Sequence, residues 1–341
     1  MESLDGKIIL SYDAQIEHLK SRGITFKYEF NEEKAKEYLQ SHNSFFRLRA
    51  YRFDFRDLGT DTYRGLDFSY LVNLARIDDK LRKLILYMSI DMEHFSKIQL
   101  LKLITDEYAG EDACELVRQY HDSLNERERL RLKNIIKCSE NSTYVQNLYK
   151  KYEIANWDYN FPVQVFLEII PFGTFTHFYG FCINNIFKSN KKWNSIYNLL
   201  LTVKDARNAA AHDNCFVNDL KTENVNPPKA DYNMLKLLTL EGVSERERQR
   251  KFKNKKVLQI ITCFYAYREL VISNPENNYK FLLRPYNAIP EDLRDELYAL
   301  SIQLGEFIKK LPTSLEAKYS VAKEAFELAK RIVDVWYLEE S

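Results

Sequence analysis

The amino-acid sequence predicts an all-α fold, and three observations carry that prediction. Glycine and proline are scarce, nine and eight among 341 residues, where average usage is about 7% and 5%. Leu, Lys, Glu, Asp and Arg fill the long segments, whose apolar residues recur three and four apart, the period of a helix face. Strict apolar–polar alternation, the mark of a half-buried strand, is rare. Because single cores stop growing near about 250–300 residues, two packed helical parts are expected. They fall in three sequence segments: a helical extension over 1–67, a helical core over 68–217, and a segment over 218–341 holding a loop, a basic stretch and C-terminal helices packed on the core.

The first element is a short helix within Ser11–Gly23, with Ser11 or Asp13 as N-cap and Gly23 as its stop. Asn31 caps a second helix, with Glu32 and Glu33 in the turn where the helix dipole favours acids. The block Phe45–Phe55 (FFRLRAYRFDF) interleaves Arg47, Arg49 and Arg52 with aromatic residues. It reads either as a structural helix or strand whose arginines snorkel from an aromatic core, or as a surface that stacks bases and contacts phosphates.

Phe68–Thr105 is the longest periodic run, one long helix or a slightly broken pair, and Glu93 lies within it. Asn125–Lys137 reads as a solvated helix. A second helical part runs from Phe161 to His212, with Pro162 at a first-turn position. Asn226, Pro227 and Pro228 mark a loop. Beyond it, Glu245–Lys256 (ERERQRKFKNKK) sets seven bases, Arg246, Arg248, Arg250, Lys251, Lys253, Lys255 and Lys256, against two acids. Such a run is either a solvated face or an RNA-binding patch. Helical periodicity resumes over Val257–Val271, Glu291–Lys310 and Ser314–Leu338.

Composition removes several function classes. A net charge of +1 gives no global pull on a polyanion, so any nucleic-acid contact must be local. Five cysteines, an odd number without a CxxC pair, suit reduced thiols rather than a disulfide frame or a zinc site. Met1–Gln15 lacks a secretory leader, and the apolar stretch Phe161–Phe187 is broken by Glu168, Pro171, Gly173 and His177, so core helices are expected there rather than a membrane span. The expected location is cytoplasmic. A phosphate-cradling glycine loop, HExxH and GxSxG are all absent.

One stretch bears chemistry: Arg207-Asn208-Ala209-Ala210-Ala211-His212, after the apolar approach Leu199–Ala206. Three alanines favour the helix and keep it thin, so it can approach a partner helix or a phosphate closely. Five steps of about 100° put Arg207 and His212 about 140° apart on an ideal helix. They share no stripe, and convergence calls for a distorted helix end or a second copy facing the first. Such a groove suits RNA transesterification without metal or cofactor. His212 would move a proton at the ribose 2′-hydroxyl or the leaving 5′-oxygen, since imidazole titrates near neutrality. Arg207 would hold the phosphate, with Asn208 as a supporting amide and Asp213 orienting the imidazole or ending the helix. On spacing alone an Arg-x4-His pair reads first as a capped helix end.

Four stretches give the pair a context: SYDAQIEHLKSRGI with EEKAKEYLQSHNSFFRLRAYRFDF, the run IDDKLRKLILYMSIDMEHFSKI, FPVQVFLEIIPFGTFTHFY, and VKDARNAAAHDN. In order and spacing, over roughly residues 10–215, they resemble the Abi family of phage-abortive-infection proteins (the AbiD/AbiF-like group) within the HEPN superfamily. The resemblance implies a HEPN-like helical bundle over 68–217 with additional N- and C-terminal helices, and metal-independent RNA cleavage at an RNxxxH motif, matched by Arg207, Asn208 and His212. It implies a support role for Glu93 and a structural turn at Glu168 and Gly173. Many relatives carry a second histidine where this chain has Asp213. The leading expectation is therefore a homodimeric endoribonuclease that halts phage propagation. The rival expectations are an RNA-binding ribonucleoprotein component with a small non-coding RNA partner, relying on Arg47, Arg49, Arg52 and the bases of 246–256, and a purely structural interaction protein.

Overall fold

Side-chain caps set many of the helix ends in the computed structural model. In chain order the helices are α1 (Tyr12–Ser21), α2 (Glu32–Ser41), α3 (Phe45–Arg52), α4 (Phe68–Tyr108), α5 (Glu115–Ser123), α6 (Glu126–Ser139), α7 (Thr143–Lys151), α8 (Val163–Ile169), α9 (Phe172–Phe181), α10 (Lys191–Ala211), α11 (Tyr232–Leu240), α12 (Glu245–Lys251), α13 (Lys255–Tyr267), α14 (Ile289–Lys310) and α15 (Thr313–Leu338). The structure describes residues 9–338 apart from 53–54, 56–59, 64, 140–141, 188–189, 221–222, 225–228, 273–288 and 312. The expected loop at Asn226, Pro227 and Pro228 lies outside the described residues. Among those described, regular structure is helical, save one isolated bridge between Thr25 and Asp67. The fold is all-α.

The caps follow the residue types. The Ser11 hydroxyl accepts from the Ala14 amide, and the Asn31 side chain from that of Lys34 at 2.9 Å. Asn125 and Glu128 close a reciprocal capping box on α6, at 3.0 and 3.1 Å. Gly23 follows α1 at φ +84°, where an added Cβ would lie 2.9 Å from the Tyr63 carbonyl; only glycine fits that turn. The 41-residue α4 is pinned at its start by Asp67. That buried carboxylate accepts from the Ser69 amide and hydroxyl, the Thr25 hydroxyl and the Lys27 amide.

Two compact units, each discontinuous in sequence, make up the chain: residues 1–87, 206–265 and 283–341 form the first, and 88–205 with 266–282 the second. In the first, α14 and α15 form a hairpin closed by Tyr298–Asp334 and Ser301–Glu327 hydrogen bonds. Leu71, Leu74, Leu81, Ile261, Leu297, Leu304, Phe326 and Ile332 are among its buried residues. Each such side chain contributes about 1.5–3 kcal/mol relative to exposure.

Aromatic packing dominates the second unit. Tyr120 meets Phe178 at 5.2 Å and Phe181 at 5.4 Å, and Phe166 meets Phe178 at 5.0 Å. This explains why the apolar stretch around 161–187 folds as core helices. A π-helical turn, Cys182–Ile186, follows α9 directly, and a second, Arg268–Ile272, follows α13. Among the described residues no helix is long and apolar enough to cross a membrane.

Candidate functional site

The motif occupies the last turns of α10, in the first unit. Val203, Ala206 and Ala210 form its buried stripe, whereas Ala209 is half-buried and Ala211 exposed, so of the three motif alanines Ala210 serves close packing. Arg207 is half-buried and donates to the Asn208 side-chain oxygen at 3.3 Å. His212 is exposed just past the last helical residue, its amide donating to the Asn208 carbonyl at 3.0 Å. Among the described residues no hydrogen bond or ion pair links Arg207 with His212, and the imidazole has no partner of its own.

A Schellman closure ends the helix: the Asn214 amide donates to Ala209 at 2.8 Å and the Asp213 amide to Ala210 at 3.2 Å. The left-handed residue such a closure needs is normally glycine, and here it is Asp213 at φ +59°. Aspartate tolerates that region better than most residues. Its side chain has other work: Asp213 Oδ2 lies 3.0 Å from Arg47 Nη1, and Oδ1 lies 3.1 Å from Arg47 Nη2 and 3.5 Å from Arg82 Nε. Asp213 therefore ends the helix and clamps its end to α3 and α4; among the described residues it makes no bond to the imidazole.

Behind the clamp lies a carboxylate that sequence reading passed over. Asp78, fully buried on α4, accepts from the Phe216 and Val217 amides at 2.7 and 2.9 Å, the Tyr51 hydroxyl at 2.9 Å, and the Arg82 guanidinium. Burial pushes its carboxyl above the usual carboxylate range, against Arg82, the two amides and the Tyr51 hydroxyl. The two amides and the guanidinium can only donate, so these partners favour the ionised form against burial. Burial likewise works against the charge of Arg82, but Asp78, Tyr51 and Asp213 outweigh it and raise its pKa. Burial and the neighbouring Asp78 push the Tyr51 phenol up as well.

The stretch beyond the motif is held as closely. Asn218 donates to the Ala50 carbonyl at 3.1 Å, Lys256 Nζ to the Asn218 carbonyl at 2.9 Å, and Asn254 to the Asp219 carbonyl at 2.9 Å. Thus α3, α4 and the start of α13 together fix the chain as it leaves His212.

Residues 37–218, more than half of the chain, match the family of Abi-like proteins. The chain belongs to this family. Membership points to abortive-infection defence. No curated protein and no solved structure matches the chain. The family match takes in Arg47, Asp78, Arg82 and the whole Arg207–Asp213 motif, and ends before the basic segment.

The other sequence-derived candidates are dispersed. Glu93 belongs to the second unit and pairs with Lys97 at 3.0 Å. Arg49 is exposed, whereas Arg52 is buried and lies over the Tyr63 ring, 5.5 Å from its centroid. In the basic segment, Arg248 donates to the Leu235 carbonyl at 2.7 Å and to Thr239. Lys251 is buried between Glu247 and Glu324, at 2.5 and 3.5 Å. Arg250 reaches Glu324 at 3.1 Å and Lys253 reaches Glu223 at 3.0 Å. Arg246 and Lys255 are exposed. Glu168 is exposed on α8, and Gly173 lies in the first turn of α9. Among the described residues no group of three His, Cys, Asp or Glu side chains could hold a metal.

Proposed function

We propose that this Abi-like protein is a metal-independent endoribonuclease of the HEPN type, acting in abortive-infection defence. One observation carries the reading: an exposed, unpartnered imidazole stands at a helix end fixed by the Schellman closure, the Asp213–Arg47–Arg82 clamp and the Asp78 network. Catalytic groups need that kind of rigid support.

In the proposed reaction one His212 takes the proton of a ribose 2′-hydroxyl. The 2′-oxygen attacks the adjacent phosphorus, the P–O5′ bond breaks, and a second, protonated His212 gives its proton to the leaving 5′-oxygen. A 2′,3′-cyclic phosphate and a 5′-hydroxyl remain. Because the chain carries one such motif, the second imidazole comes from a second copy in a homodimer. Arg207, steadied by Asn208, faces the charge that grows on the phosphate oxygens.

The basic segment favours this reading over pure RNA binding, because Arg248, Arg250, Lys251, Lys253 and Lys256 are engaged within the chain. The test is cleavage of single-stranded RNA in excess EDTA. Arg207→Ala and His212→Ala are each expected to lower it at least a hundredfold, consistent with loss of a general acid–base or oxyanion-stabilising group, about 10²–10⁴ in rate. Full activity in both variants, or dependence on added metal, would overturn the proposal.

A further inference from the structure

Beside the motif, α2, the start of α3 and the stretch Ala75–Arg82 of α4 border an open cleft of about 550 Å³. That lies within the range of about 300–1,000 Å³ common for small-molecule sites. Lys34, Arg47, Arg76 and Arg82 line it. Two acids, Glu37 and Asp79, line it too, but Asp79 is taken by Lys83 at 2.8 Å and Arg82 at 3.2 Å. Arg47 and Arg82 are likewise paired, with Asp213 and Asp78, so the open charges of the wall are Lys34 and Arg76 against Glu37.

Aromatic rings share this wall. The His42 imidazole stacks on Tyr38, centroids 5.4 Å apart and planes within 6°. His42 is exposed, so the stack ends at solvent. Arginines beside an open aromatic stack are what an unpaired base with its phosphate requires. Base-paired strands keep their bases stacked inside the helix and cannot use such a wall.

Position ties the cleft to the motif. Arg47 and Arg82 belong both to its lining and to the clamp on Asp213, the residue after His212. The Arg47 fork already grips a planar pair of oxygens, at 3.0 and 3.1 Å, in the bidentate manner arginine uses for phosphate. Its Nε–H is buried with no acceptor among the described residues. Arg76, 56% exposed, pairs with Glu29 at a long 3.8 Å and lies over the Phe30 ring, 5.9 Å from its centroid, and Lys34 is exposed.

We infer that this cleft seats one nucleotide of a single-stranded RNA next to the scissile phosphate, its base on the Tyr38–His42 stack and its phosphates on Arg76 and Lys34, with Arg47 staying on Asp213. The inference rests on the RNA reading above but does not need cleavage. It is tested with the full chain carrying His212→Ala, which keeps RNA whole, and a short fluorescein-labelled oligouridylate followed by anisotropy. Adding Lys34→Gln with Arg76→Gln is expected to weaken binding about tenfold or more. It should also make log Kd against log salt shallower by roughly 1.4, at about 0.7 per phosphate contact on a single strand. His42→Ala is expected to weaken binding roughly fivefold or more through lost stacking.

Melting temperatures should stay unchanged, since all three side chains are exposed. Arg246→Gln with Lys255→Gln removes the same charge from another exposed face and should leave Kd within about twofold. Undiminished binding in the cleft variants, an equal loss in that control pair, or no binding by the His212→Ala protein would each overturn the inference. Cleavage by the unmodified chain, measured alongside, reports separately on the ribonuclease reading.

Discussion

Replacing Asp78 by asparagine keeps the size of the side chain and removes only its charge, which isolates what that carboxylate does. Asparagine can turn its oxygen to the Phe216 and Val217 amides or to Arg82, but not to both. If the amides keep the oxygen, the new NH2 faces the Arg82 guanidinium, donor against donor, in a setting where Arg82 is 5% exposed. Breaking a buried ion pair from one side costs about 3–5 kcal/mol. Asp79 at 3.2 Å and Asp213 at 3.5 Å still compensate Arg82, so about 3 kcal/mol is expected. For a unit of 150–250 residues, about 2–4 °C per kcal/mol makes that a fall of roughly 6–12 °C in melting temperature.

Circular dichroism measures the fall. Hydrogen exchange should find the Phe216 and Val217 amides opening faster, because these hold the motif loop to α4. Adding Arg82→Gln removes the donor clash, so the double variant should lose less than the two single losses combined. A loss under about 1 kcal/mol, unchanged exchange at those two amides, or strict additivity would refute the network's role.

Three further predictions bear on neighbouring claims. Asp213→Asn keeps a residue that tolerates the left-handed region, costs under about 1 kcal/mol because the carboxylate is 64% exposed, and removes a negative charge from Arg47 and Arg82. Oligouridylate affinity of the His212→Ala protein should rise severalfold, because Arg47 and Arg82 in the cleft wall lose a counter-charge, and unchanged or weaker binding would contradict the cleft's electrostatic pull on RNA. His18, edge-on to Phe45 at 5.7 Å, has its pKa lowered by burial and then by Arg22, Arg52 and Arg49. Below the ordinary value near 6.5 the unfolded chain takes up a proton that the folded chain refuses, so stability falls as pH drops through that range. Between about pH 7 and pH 5.5, His18→Gln should therefore lose less melting temperature than the parent, and identical losses would dispose of this linkage. Cleavage per mole of protein should decline on dilution if the site needs two copies, whereas a constant specific activity would speak for a site complete in one chain.

Local signals carried much of the fold. Ser11 and Asn31 cap the helices they were expected to cap, and the run from Phe68 is one helix because its apolar period is unbroken. The motif was legible as a helix end. What fixes that end was not, because it depends on partners far away in sequence. Asp78-Asp79 reads in isolation as surface charge, although Asp78 and Arg82 are spaced i, i+4 among the buried Leu74, Leu81 and Ile85, a hint that both point inward. Nothing local tells a reader that Asp213 adopts a left-handed backbone and meets Arg47. The basic segment shows the same limit: its charge count is plain, but the pairing of Lys251 with Glu324 and the reach of Lys256 to Asn218 come from tertiary contacts. The cleft by the motif depends on Lys34 and Arg76, from two separate helices, and has no linear signature.

The most direct test of the account is the chemistry of the ends. RNA cut by the purified protein in EDTA is expected to carry 2′,3′-cyclic phosphate and 5′-hydroxyl termini, with no such products from the His212→Ala protein. Ends bearing 3′-hydroxyl and 5′-phosphate groups, or the same products from that variant, would contradict it.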